Sequence, residues 1–133
     1  MIIDFNIEEF PSDLSQPYSL AAYTEGTLRL QVDGQTLFDE EGILLVEFYT
    51  AFNAWLVNQE VASKEDFIYE SSDFEESPII AFRYKTDTGS YKFDSVWKEQ
   101  DALISFEDID SSFRVFREKL SADVLKRSGL ELD

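Results

Sequence analysis

Carboxylates are the side chains best placed to do chemistry here, because the 133 residues include 28 Asp and Glu but no His and no Cys. Without imidazole or thiol, the Ser–His and Cys–His hydrolase arrangements, a histidine general base, disulfides and Cys/His zinc sites are excluded. Carboxylates can still work in pairs, bind cations or recognise a basic partner. Two of them hydrolyse glycosides when set ~5–10 Å apart, and the general acid of the pair needs an apolar setting that raises its pKa. Glu47, inside the apolar run 43–58, is the candidate for that role. Its plainer reading is the exposed edge of a helix. Calcium fails on spacing. Asp87-Thr88-Gly89 lacks the alternating Asp/Asn run and the Glu six residues after the Gly. Asp108-Ile109-Asp110 alternates correctly but sits at a helix start, where capping accounts for it. No P-loop or Gly-x-Gly-x-x-Gly is present. The sequence therefore points to no catalytic residue, no metal ligand set and no cofactor.

Recognition is the remaining use. With 11 Lys and Arg the net charge is −17, and residues 1–63 hold one basic residue, Arg29, against eleven acidic ones. Such a surface repels phosphate backbones and anionic membranes, so nucleic acid and lipid are excluded as partners and a basic protein is favoured. The dense clusters are Asp39-Glu40-Glu41, the stretch Glu65, Asp66, Glu70, Asp73, Glu75 and Glu76, and the series Glu99, Asp101, Glu107, Asp108, Asp110. Any one of them is explained by solvated loops and helix starts. Together they carry a self-repulsion that destabilises the compact state, for which either a partner contact or the acidic bias of a halophilic proteome accounts, the large aromatic content favouring the first. The 65–76 stretch is the predicted partner surface, with Tyr91 and Trp97 as aromatic anchors of the kind that dominate binding hot spots.

These residues need a scaffold. At 44% hydrophobic and 15% aromatic the chain is too apolar for a disordered acidic tail, and its length suits one domain over 1–133. Alternation predicts strands with Ile3, Phe5 and Ile7 on one face, and with Leu28, Leu30 and Val32 on one face. Thr24-Glu25-Gly26-Thr27 reads as a hairpin turn from a strand near 18–24, and Asp33-Gly34 as the strongest short turn. Further strands are expected at 67–70, at 79–85 with Ile80, Phe82 and Tyr84 inward, at 90–97 with Tyr91, Phe93 and Trp97 inward, and at 102–105. Residues 43–58 form a helix that is apolar nearly all round, with Asp39, Glu40 and Glu41 at its positive end. A second helix runs from about 107 to 128 on the stripe Phe106, Ile109, Phe113, Phe116, Leu120 and Val124, with a break allowed near Ser121 and a stop at Ser128-Gly129. The expected fold is α+β: a mostly antiparallel sheet of hairpins with two main helices packed on one face. The first residues carry no positive n-region and no long apolar run, and nothing later reaches the ~20 apolar residues of a membrane span, so the cytoplasm is the expected compartment.

The segments FYTAFNAWLVN, IIAFRY and SYKFDSVW, set in a small acidic α+β chain, resemble the immunity proteins of bacterial toxin–immunity systems, including contact-dependent inhibition and polymorphic toxin modules. The resemblance implies a non-catalytic protein that blocks a basic toxin domain, a nuclease above all, by stoichiometric occlusion. It transfers no functional residue. Two other readings share parts of the pattern: a DNA mimic inhibiting a nucleic-acid-binding protein, and a carboxylate-based hydrolase.

Overall fold

A computed structural model describes residues 1–61, 65–98 and 101–132. The order is β1 (Ile2–Glu9), α1 (Ser19–Tyr23), β2 (Glu25–Val32), β3 (Gln35–Leu44), α2 (Leu45–Val61), β4 (Phe67–Tyr69), β5 (Ile80–Lys85), β6 (Ser90–Asp94), β7 (Leu103–Ile104) and α3 (Phe106–Ser128). The class is α+β, and all pairings of these strands are antiparallel. The strands divide into two sheets, β1-β2-β3 and β4-β5-β6-β7, where one had been expected.

The first sheet departs from the sequence reading in instructive ways. Residues 19–23 are a short helix, not a strand: Pro17 presets a turn, and Leu20-Ala21-Ala22 are good helix formers. Thr24 to Thr27 is not a turn either, since β2 already begins at Glu25. Gly26 lies inside the sheet between Ile7 and Ile43. A Cβ there would stand 1.9 Å from the carbonyl oxygen of Asn6, so the close approach of β1 demands glycine. The Asp33-Gly34 turn forms as expected, with both residues at positive φ, the type I′ signature.

Strand β3 was invisible to alternation because bulges interrupt it. Between Leu30↔Phe38 and Gln31↔Thr36 it spends one residue more than β2, which lets neighbouring Leu37 and Phe38 both be buried. A second bulge separates Glu40 from Ile43, with Gly42 at φ 74°. The Asp39-Glu40-Glu41 triplet thus lies on a strand rather than at a helix N-terminus, and Arg29 opposite holds Asp39 at 3.3 Å.

Helix α2 follows β3 without a break, the Leu45 amide donating to the Thr24 carbonyl. It is buried on most sides, as its composition requires. Phe48 and Phe52 meet Phe67 of β4 and Phe116 and Phe113 of α3. Helix α3 buries the predicted stripe and runs through Ser121 without interruption. Ser105 caps its start by accepting from the Asp108 amide, and Gly129 ends it. One hydrophobic core joins both sheets and both long helices. Among the described residues no helix is long and apolar enough to cross a membrane.

Candidate functional site

The expected acidic surface splits into parts with different surroundings. Glu65 and Asp66 flank the start of β4: the Glu65 carbonyl accepts from the Trp55 indole at 3.0 Å, and Asp66 accepts from the Tyr84 amide at 2.8 Å while lying 3.8 Å from Arg83. Glu70, Asp73, Glu75 and Glu76 are exposed on the loop between β4 and β5. That loop is tied down from below by Glu47, whose carboxylate accepts from the Tyr69 hydroxyl at 2.9 Å, the Ser72 amide at 3.3 Å and the Ser72 hydroxyl at 2.7 Å. Glu47 therefore staples the loop to α2. Phe74 folds back over Gly42 and meets Trp97 edge to face, with centroids 4.8 Å apart.

Of the two expected aromatic anchors, Tyr91 needs correction. Tyr91 is 2% exposed, its ring set edge-on to Trp55 in the core and its hydroxyl donating to Gln59, so it offers nothing to a partner. Burial also pushes its phenol pKa up. Trp97 lies beyond the end of β6, half-buried, and stacks on Phe38 with centroids 6.1 Å apart. Within the third cluster, Asp101 pairs with Lys92 and Asp110 with Arg114, while Glu107 and Asp108 open α3. Glu99 lies outside the described residues.

The structure gathers a different set. An open groove of about 600 Å³ runs between the end of β1, the segment 10–18, α1 and the 70–78 loop. Glu9, Asp13, Glu25 and Asp73 line it, together with Phe10, Tyr18, Ala22, Tyr23 and Leu44. No described basic residue lines it. A bulge between Ile7 and Glu9 brings Glu9 opposite Glu25, a like-charge cross-strand pair that costs stability. Partial burial, then the charges of Glu9 and Asp73, push the Glu25 carboxyl above the usual glutamate range. Asp13 goes the other way, held low by hydrogen bonds from Ser15. Tyr18 and Tyr23 stay 57% and 56% exposed, large for aromatic residues with no strand partner to serve.

Of the groove carboxylates, only Asp73 belongs to the predicted surface. Glu9, Asp13 and Glu25 were missed because they are dispersed along the chain and meet only through the β1–β2 pairing. The available signal was the segment 10–18, where two prolines and two serines part a strand ending in Glu8-Glu9 from two tyrosines five residues apart. Among the described residues no group of three or more acidic side chains is arranged to hold a metal ion.

A family model described as a domain of unknown function, DUF7878, matches residues 3–126. The chain belongs to the DUF7878 family. No curated protein and no solved structure matches it. The matched stretch of this DUF7878 domain spans all groove residues, the Glu47 staple and the acidic loop, so the site sits within the family's own unit and not in an appendage.

Proposed function

We propose that this DUF7878 protein is a non-catalytic immunity protein that binds and blocks a basic toxin domain, a nuclease in the reading that suits its charge best, through an acidic surface. The observation that carries the proposal is how the charges are used. Five cations, Arg29, Arg83, Lys92, Arg114 and Arg127, are engaged by carboxylates of this chain. The carboxylates of the groove and of residues 70–76 form no ion pair with any described cation. The fold thus spends its positive charge elsewhere and leaves this region negative. Such a surface steers a basic partner at rates that fall with salt, and it pairs with the Lys and Arg of a phosphate-binding cleft.

The hydrolase reading would draw on Glu25, whose carboxyl partial burial and neighbouring charge push up, but the groove that holds it is open to solvent. Affinity capture of the product of the adjacent gene, co-expressed with this chain, tests the proposal. A one-to-one complex that weakens by roughly tenfold or more as salt rises from 0.05 to 0.5 M is expected. No complex, or one indifferent to salt, overturns it.

A further inference from the structure

We propose that the groove is the seat for one basic side chain, arginine or lysine, presented on a protruding segment of a protein partner. The inference rests on the reading of the acidic surface as partner-binding and assigns that reading a place and a chemistry. Its geometry suits a ligand with a greasy stem and a cationic head. Ala22 and Phe10 supply apolar surface for the methylenes. Glu25, pressed by partial burial and then by the charges of Glu9 and Asp73, receives the head together with those two carboxylates. Tyr18 and Tyr23 offer exposed ring faces on which a guanidinium or ammonium is attracted to the π-system. A volume of about 600 Å³ lies within the usual range of ligand pockets and leaves room for backbone on either side of the inserted residue.

No described cation lines the seat. Arg127, which lies over the Phe10 ring at 5.7 Å, is held by Asp123 at 2.7 Å. Recognition gains from the frustration already present. The cross-strand pair Glu9–Glu25 costs the free protein stability, and an incoming cation relieves that repulsion. Partial removal of Glu25 from water makes the same charge pairing worth more than on an open surface.

The test titrates the full-length, isotope-labelled chain with the capped peptide Gly-Gly-Arg-Gly-Gly, followed by amide NMR shifts. Its neutral isostere with citrulline in place of arginine, and spermidine, serve as comparison ligands. The arginine peptide is expected to shift amides of α1, Glu9, Glu25 and Asp73, and the citrulline peptide to leave them in place. The Glu25→Gln, Asp73→Asn double variant is expected to weaken the arginine peptide about tenfold. The Glu75→Gln, Glu76→Gln double variant, with the same charge change on the neighbouring loop, is expected to stay within about twofold. Equal response to arginine and citrulline, shifts spread over α3 and the second sheet, or wild-type binding by the groove variant overturns the inference. Spermidine acting on the same amides at tenfold lower concentration also overturns it, in favour of a free polyamine. Any of these leaves a captured basic partner standing, whereas intact groove binding without a captured partner removes the immunity reading alone.

Discussion

Glu25 shows how a single carboxylate can be made costly. Partial burial and the charges of Glu9 and Asp73 raise its pKa above the ordinary value of 4.5. The folded protein then holds that proton more tightly than the unfolded chain, so the contribution is complete below the ordinary value and is lost as pH rises through the raised one. Glu25→Gln removes that loss. The variant is expected to melt together with the parent at pH values below 4.5 and above it at pH 7, by several tenths of a kcal/mol, the scale of a like-charge cross-strand pair. A thermal denaturation series against pH reads the difference, and a variant less stable at pH 7 would contradict it. Glu47 is the opposite case, a carboxylate with three donors. Glu47→Ala removes the acceptor of the Tyr69 hydroxyl beneath the 70–78 loop and is expected to cost about 1–3 kcal/mol in urea unfolding. It should also speed proteolysis within that loop. Glu47→Gln keeps an acceptor and is expected to recover a good part of the loss.

At the scale of elements, the first sheet depends on irregularity. Gly26→Ala pushes a methyl group into the Asn6 carbonyl, which β1 cannot yield without moving its whole register. The expected loss is upward of about 2 kcal/mol, seen as a melting temperature lower by roughly 5–10 °C. The same irregularity explains what the sequence concealed. Strands β2 and β6 and helix α3 were legible because their periods run unbroken: Leu28 and Leu30, Tyr91 and Phe93, and the α3 stripe. Strand β3 was not, because two bulges put Leu37 beside Phe38 inside and let three consecutive acids occupy a strand. Helix α1 was lost for a different reason: five residues are too few for a helical period to show. The groove went with it, since Tyr18, Tyr23 and Glu25 belong to the segment read as a hairpin.

For the whole molecule, net charge sets the conditions of both stability and recognition. Between 0.01 and 1 M salt the screening length falls from about 30 to about 3 Å, so self-repulsion at −17 is expected to fade. Sodium chloride should raise the melting temperature by on the order of 5 °C, worth about 1 kcal/mol for a chain of this size. Differential scanning calorimetry at a series of ionic strengths would show it, and a flat response would mean that the repulsion carries no weight. The acidity was legible from composition alone; its uneven satisfaction was not, because it depends on which carboxylates the fold places beside Arg and Lys. The fold also joins its two extremes. Phe116 of α3 meets the Phe5 ring of β1 edge to face at 5.6 Å, and the Ser112 hydroxyl donates to the Met1 carbonyl. During synthesis β1 leaves the ribosome about a hundred residues ahead of α3, the helix that packs against it. Until α3 follows, the Phe5 ring waits without that cover.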